Sequence, residues 1–214
     1  FPVAFHRLSF RAPCVRSTFD IKDKITPNMK TITVVYHSGS GHTRRQAEAV
    51  VQGCLSVEGI TAALIDVSEV EQKWQQLDDA DAIIMGSPTY FGSASAQFKA
   101  FCDSCGGRFF EQRWKNKIAA GFTNSGGLSG DKQTTLIQIF TFAQQMGMIW
   151  IGLGILSPSG EPTPEKINRL DSFIGAMAQS TMGDREGLHP SSGDLETAKQ
   201  LGIRVSGAVL RWNS

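Results

Sequence analysis

Residues 31–36 read Thr-Ile-Thr-Val-Val-Tyr, and residues 37–43 read His-Ser-Gly-Ser-Gly-His-Thr. The first run is apolar and rich in β-branched side chains, which is typical of a strand buried on both faces. After the polar second run, apolar side chains recur at helical spacing at Ala47, Val50, Val51, Cys54 and Leu55. The stretch therefore predicts a strand, a tight loop and a helix, which together open a β-α-β unit.

The same alternation continues along the rest of the chain. Four more short apolar runs are predicted as strands, at residues 62–67, 82–86, 118–122 and 148–153. Segments of helical period lie between them and after the last one. Because strands that alternate with helices are joined by right-handed crossovers, the pattern predicts an α/β fold with a doubly wound, five-stranded parallel sheet covered by helices on both faces.

The segment 157–193 fits this pattern least well. A helix is predicted after Thr163-Pro164 from the spacing of Ile167, Leu170, Ile174 and Met177. Gly175 and the glycine-bounded stretch 183–193 favour a loop instead.

Composition limits the classes of function. The chain has 214 residues, 41% of them hydrophobic, and a formal net charge of +1. Residues 1–28 hold five basic and two acidic side chains, so residues 29–214 are mildly acidic, with 16 basic and 18 acidic side chains. We expect a leader at 1–28 that is not part of the domain, with an organellar transit peptide as the alternative, and one domain at 29–214. Without a basic surface, no nucleic-acid partner is expected.

One uncharged stretch, residues 133–160, is long enough to cross a bilayer. Glutamines, glycines and a proline interrupt it, so we interpret it as a buried helix followed by a buried strand, and we expect no membrane association. The four cysteines are Cys14, Cys54, Cys102 and Cys105, and none has a metal-ligand spacing with histidine. This predicts a cytoplasmic protein without structural disulfides or a metal site.

The loop at residues 38–43 has the chemistry of a phosphate site. Its hydroxyls can donate to phosphate oxygens, and the helix that follows offers free N–H groups and a favourable dipole. The dinucleotide fingerprint G-x-G-x-x-G begins correctly at Gly39 and Gly41 but has Arg44 in place of the third glycine. A phosphate monoester is therefore favoured over a pyrophosphate, and a plain Ser/Gly turn with a helix cap is the alternative.

Two further loops follow the third and fourth predicted strands. Residues 86–92 place two aromatic side chains between Pro88 and Gly92, where they can wall a flat ring. Residues 123–130 are polar and glycine-rich, unlike core. Because ligands of doubly wound sheets bind beyond the carboxyl ends of the strands, we expect all three loops to line one crevice.

Together, residues 38–43, 86–92 and 123–134 resemble the flavodoxin-like, FMN-dependent NAD(P)H:quinone oxidoreductases of the tryptophan-repressor-binding-protein type, a likeness that extends from about Lys30 to Leu210. The resemblance implies a flavodoxin-like sheet of strand order 2-1-3-4-5. It implies FMN as cofactor, NAD(P)H as electron donor, a quinone-like acceptor and a homodimer or homotetramer. The chemistry takes place on the flavin, so no catalytic side chain is expected.

By the same resemblance, three sets of residues form the site. The phosphate is expected at Ser38, Gly39, Ser40, Gly41, His42 and Thr43. The ribityl chain and ring are expected at Pro88, Thr89, Tyr90, Phe91, Gly92, Thr123, Asn124, Ser125, Gly126 and Gly127. The substrate pocket is expected at Phe109 and Phe110, and Ser172–Gly183 is expected as a loop near the flavin.

The chain departs from the family in two places. The connection 67–80 lacks the family's long insertion after the second strand, and Met146 stands where the family has a histidine near the flavin. A flavodoxin-type electron carrier, which binds FMN without nicotinamide turnover, is the alternative function. Such carriers dock basic partners through strongly acidic surfaces, and the modest charge of this domain favours the enzyme.

Cys102 and Cys105 also match the C-x-x-C pattern of dithiol redox sites, and Cys102 with Arg108 matches the spacing of cysteine phosphatases. Both chemistries need a thiolate stabilised at a helix N-terminus. The pair instead falls at the end of a helix predicted to start near Ser93, where the dipole disfavours negative charge. We interpret them as buried thiols.

Overall fold

The computed structural model describes residues 29–181, 183 and 189–212, and the leader predicted at 1–28 lies outside these residues. The strands are β1 (Lys30–Tyr36), β2 (Ile60–Asp66), β3 (Ala82–Tyr90), β4 (Ser93–Ala94), β5 (Ile118–Ser125), β6 (Ile149–Trp150) and β7 (Ala176–Gln179). The helices are α1 (His42–Leu55), α2 (Trp74–Asp79), α3 (Ala96–Ser104), α4 (Gly106–Phe110), α5 (Lys132–Gln145) and α6 (Ser192–Trp212), with a 3-10 helix at Val67–Gln72.

The central sheet is parallel, in the order β2-β1-β3-β5-β6. These are the five strands predicted from the sequence, so the expected α/β fold and its order 2-1-3-4-5 are confirmed. In β1, Ile32, Val34 and Val35 are completely buried because helices cover both faces of the sheet. One face packs against α1 and α6, and the other packs against α2, α3 and α5.

At its outer edge the sheet differs from the prediction. Only Ile149 and Trp150 of the expected strand 148–153 pair with β5, opposite Ile118 and Ala119. Further along the same edge of β5, β7 lies parallel to residues 122–125. The helix predicted from the spacing of Ile167 to Met177 is therefore wrong, and the segment expected as a loop near the flavin contains β7. Pairing with the open edge of β5 satisfies backbone groups that would otherwise be buried without partners.

The third strand continues beyond its predicted end at Gly86 and reaches Tyr90. It then turns back into β4 through Phe91 and Gly92, whose φ angles are +49° and +73°. Positive φ at both central residues is what a two-residue hairpin needs to match the twist of its strands. Ser95 then caps α3 by accepting a hydrogen bond from the Phe98 backbone N–H.

Helices α1 and α6 approach each other closely at two glycines. A Cβ added to Gly53 would lie 2.0 Å from the Lys199 carbonyl oxygen, and one at Gly202 would lie 2.2 Å from the Val50 carbonyl oxygen.

Across residues 29–181 and 189–212, we find no helix with both the length and the apolar character needed to span a membrane.

Candidate cofactor site

Strand register brings the three polar loops to one edge of the sheet. Tyr36 at the end of β1 is opposite Gly86, and Gly86 is opposite Phe122 in β5. The His37 backbone N–H then donates to the Gly86 carbonyl oxygen at 3.0 Å. The loops that leave β1, β3 and β5 therefore begin side by side, at the carboxyl ends of parallel strands where ligands of such sheets bind.

The first loop, residues 37–41, ends at the N-terminus of α1. Gly41 has a φ of +89°, a left-handed conformation that glycine adopts without strain. The Ser38 hydroxyl oxygen accepts hydrogen bonds from the backbone N–H groups of Gly41 (3.1 Å) and Arg44 (3.2 Å), which fixes the loop against the helix.

Several backbone donors of this loop remain available to a ligand. Within the described part of the chain, the N–H groups of Gly39, Ser40 and Thr43 have no hydrogen-bond acceptor. They lie at or beside the N-terminus of a 14-residue helix, whose dipole favours an anion. The donor set therefore fits a phosphate group.

The second loop contacts the first through Tyr90. Its phenol lies over Gly39, where an added Cβ would be 2.3 Å from the hydroxyl oxygen. The Tyr90 side chain is still 45% exposed, and Phe91 at the tip of the hairpin is fully exposed. Two aromatic side chains are thus presented to solvent beside the phosphate-type loop, as a flat ring would require.

Other residues predicted for the ring are held within the strands. The Thr89 hydroxyl lies 2.8 Å from both the Thr123 and the Thr135 hydroxyls, and Thr123 donates to the Ser87 carbonyl oxygen at 2.7 Å. Pro88 is buried beside them. Because these hydroxyls already have buried partners, the side chains support the loops from behind, and only their backbone remains a prediction for ligand contact.

The third loop leaves β5 after Ser125. Asn124 is 6% exposed and accepts a hydrogen bond from the Ser180 hydroxyl at 3.0 Å, which ties the end of β5 to the end of β7. Gly126 and Gly127 are exposed at the start of the loop. Of the predicted residues here, Thr123 and Asn124 are buried, Ser125 is partly exposed and the two glycines are the most open to a ligand.

A buried lysine that the sequence analysis did not single out organises this loop. Lys132 is completely buried, and its ammonium group donates to the carbonyl oxygens of Gly127, Leu128 and Ser129. Burial lowers the pKa of Lys132 to about 8, with Asp194 acting to raise that pKa and Arg169 acting to lower it. In the sequence, the feature that could have pointed to Lys132 is its position as the last charged residue before the long uncharged stretch 133–160.

A buried ion pair also anchors the loop. The Arg169 guanidinium donates from two nitrogens to the Asp194 carboxylate at 2.8 Å, and both side chains are nearly inaccessible to solvent. Asp194 also accepts from the Gln179 backbone N–H, and the Gln179 side chain donates to the Gly126 carbonyl oxygen at 3.1 Å. These residues are far apart in sequence, so no local pattern could have identified the network.

Phe109 and Phe110 lie beside a groove between helices. They lie on α4 with 40% and 83% of their surfaces exposed and ring centroids 5.3 Å apart. Phe109 borders a groove of about 590 Å³ between α3 and α5, which reaches the hairpin at Ser93 and Ala94. None of residues 38–43, 86–92 and 123–134 lines this groove.

The cysteine pair has no reactive thiolate. Burial raises the pKa of Cys102 to about 12 and also raises the pKa of Cys105. Both thiols are protonated at neutral pH. Cys105 is buried, as interpreted, whereas Cys102 is only partly buried.

Comparison with known proteins identifies the family. Residues 34–158 match the family described as NADPH-dependent FMN reductase. The chain is 41% identical over 184 residues to Flavodoxin FldP of Pseudomonas aeruginosa, covering 83% of this chain and 96% of that protein. It is 32% identical over 200 residues to an NAD(P)H dehydrogenase (quinone) of Archaeoglobus fulgidus, with the same two coverages, 83% and 96%.

Among solved structures, a flavodoxin described as WrbA-like from Agrobacterium tumefaciens is 40% identical, with a TM-score of 0.67, and is matched over 85% of this chain and 98% of that one. The sequence resemblance, the fold and the expected cofactors, FMN and NAD(P)H, are therefore confirmed at the level of the family. This chain belongs to the NADPH-dependent FMN reductase family, among the flavodoxin-like oxidoreductases that its loop motifs resemble.

Proposed function

We propose that this protein binds FMN across its three loops and transfers electrons from NAD(P)H to a quinone or a similar acceptor. The observation that carries the proposal is the set of open N–H groups at Gly39, Ser40 and Thr43, which lies beside the exposed ring of Tyr90. Bound FMN supplies the redox chemistry, accepting electrons from the nicotinamide and passing them to the acceptor.

The residues of the chain bind and orient the cofactor. The open N–H groups of the first loop, with the hydroxyls of Ser38, Ser40 and Thr43, hold the phosphate. His42 is partly exposed at the first position of α1, within reach of the same anion. Tyr90 and Phe91 border the ring from the hairpin, and the exposed backbone of Gly126 and Gly127 faces its polar edge.

The acceptor pocket is proposed at Phe109 and Phe110, in a site shared between subunits. These rings are exposed, and the groove that Phe109 borders is lined by none of residues 38–43, 86–92 and 123–134. A homodimer or homotetramer would place them against the crevice of a neighbouring copy. Sedimentation velocity of the wild-type protein measures this directly, and a monomer at micromolar concentration would contradict it.

An electron carrier is the second candidate. It is favoured by the 41% identity to a protein named flavodoxin and by the short connection after β2, which here folds into a 3-10 helix and α2. The mildly acidic charge of residues 29–214 favours the enzyme, because carriers use strong negative charge to dock their partners.

The test separates cofactor binding from turnover. The purified full chain is stripped of flavin, titrated with FMN by fluorescence quenching, and assayed for oxidation of NADH and of NADPH with a soluble quinone. We expect saturable binding of FMN and quinone-dependent oxidation of at least one nicotinamide. Failure to bind FMN would overturn the whole proposal, and binding without oxidation of either nicotinamide would favour the carrier.

A further inference from the structure

Three carbonyl groups of the third loop converge on one buried cation. The Lys132 ammonium, which is completely buried, contacts the carbonyl oxygens of Gly127, Leu128 and Ser129, the last two at 3.0 and 3.3 Å. A lysine ammonium has three donors, so this set of contacts uses its full capacity. The loop is therefore wrapped around a charge that the chain supplies from the first turn of α5.

This wrapping fixes the direction of the loop's N–H groups. In a trans peptide unit the C=O and N–H bonds point in opposite directions. The N–H groups of Leu128, Ser129 and Gly130 belong to the same peptide units as the three carbonyls, so they point away from Lys132. As far as the described residues go, the N–H groups of residues 126–130 have no hydrogen-bond acceptor. Consecutive open N–H groups of this kind form an anion-binding concavity.

The buried charges next to the loop also favour an anion there. The titratable groups that act on Lys132 are Asp194 on α6 and Arg169 on the segment before β7. Arg169 and Asp194 are paired with each other. Lys132, Arg169 and Asp194 together carry one net positive charge on buried side chains, where its field is screened less than in water.

We propose that Lys132 is a positioning residue that aims the N–H groups of the third loop at the electron-rich edge of FMN, so that this chain holds reduced FMN more tightly, relative to oxidised FMN, than it would without the lysine. The inference rests on the proposed function, because it assumes that FMN binds at this loop. The role of Lys132 follows from its contacts with three carbonyl oxygens of the loop.

The test compares the two oxidation states of the cofactor. The dissociation constant for oxidised FMN and the midpoint potential of the bound FMN are measured for the wild type, Lys132→Met and Lys132→Arg. Together these two quantities give the ratio of the dissociation constants for reduced and oxidised FMN. We expect Lys132→Met to raise this ratio at least about tenfold and Lys132→Arg, which keeps the charge and donors, to recover part of the change.

Lys166→Met is the matched control. Lys166 also donates to two carbonyl oxygens of a loop, those of Ser159 and Glu161, in a part of the chain outside the three site loops. For Lys166→Met, the ratio of the dissociation constants for reduced and oxidised FMN should stay within about twofold of the wild-type value. Circular dichroism identifies the folded variants, and Lys132→Gln, with the same expected result, replaces Lys132→Met if that variant does not fold.

The outcomes are distinct. A wild-type protein that binds no FMN refutes the proposed function. A folded Lys132 variant that binds both forms with an unchanged ratio, or loses both equally, overturns the role of Lys132 and leaves the proposed function intact.

Discussion

The phenol of Tyr90 lies over the backbone of Gly39, so close that a Cβ at residue 39 would be 2.3 Å from the hydroxyl oxygen. This contact joins the phosphate-type loop after β1 to the aromatic hairpin after β3. An alanine at residue 39 would have to displace this phenol, in a loop where the N–H groups of Gly39, Ser40 and Thr43 are open to a ligand.

Gly39→Ala should therefore displace Tyr90 and weaken FMN binding by about tenfold or more, because both loops contribute to the same crevice. The double variant Gly39→Ala/Tyr90→Phe should recover much of the affinity, since the ring carbon behind the hydroxyl is 3.5 Å from the added Cβ, an ordinary contact. Fluorescence titration with FMN measures both.

Gly207→Ala is the control for the glycine substitution. This glycine lies within α6, and a Cβ there would meet nothing within 4 Å. FMN affinity should be unchanged, while the free energy of unfolding should rise by about 0.5–1 kcal/mol because alanine is the better helix former. Weakened FMN binding in Gly207→Ala, or full affinity in Gly39→Ala, would contradict the steric explanation.

Ser38→Ala should destabilise the protein even without a ligand. The Ser38 hydroxyl oxygen accepts from the backbone N–H groups of Gly41, the N-cap residue of α1, and of Arg44 in its first turn, so it acts in the way of a capping side chain. Loss of such a cap costs about 1 kcal/mol. Urea unfolding of the flavin-free protein measures this cost. A Ser38→Ala variant as stable as the wild type would show that the two hydrogen bonds do not hold the loop.

Local patterns in the sequence, namely apolar runs and glycine-rich turns at strand ends, predicted the strands and the three loops, while the sheet order was implied by the family resemblance. The sequence did not predict β7, since the helical spacing of Ile167 to Met177 is a local signal that long-range pairing with β5 overrides. It also missed Arg169 and Asp194, whose pairing depends on a separation of 25 residues along the chain. Thr89 and Thr123 were placed in the crevice by family likeness, and the strand pleat turns their hydroxyls toward each other.

Lys132 should give the wild type a distinctive dependence of stability on pH. Its pKa is about 8 in the folded protein against an ordinary value of 10.5. Below pH 8 both folded and unfolded chains hold this proton, so the group contributes no slope. Between pH 8 and 10.5 the unfolded chain holds a proton that the folded chain has released, so the free energy of unfolding should rise with pH by up to about 3 kcal/mol.

Urea unfolding at pH 7.5, 9 and 10 measures this effect for the wild type and for Lys132→Met. As the pH rises, the free energy of unfolding of the wild type should increase relative to that of Lys132→Met, because methionine has no proton to release. Parallel curves across this range would mean that Lys132 titrates normally in the folded protein.

Asp194→Ala should be strongly destabilising. The Asp194 carboxylate is 1% exposed and accepts from Arg169, whose guanidinium is 7% exposed, and from the Gln179 backbone N–H. Removing it leaves a buried cation and a buried donor without their partner, which costs about 3–5 kcal/mol. The third loop should also lose its anchor, because Gln179 holds the Gly126 carbonyl oxygen.

Asp103→Ala is the matched control, since its pair with Lys99 is exposed on both sides. That variant should keep the stability of the wild type, because exposed pairs contribute little. Equal losses in the two variants, measured by urea unfolding, would show that burial of the Arg169–Asp194 pair is not what holds this corner of the fold.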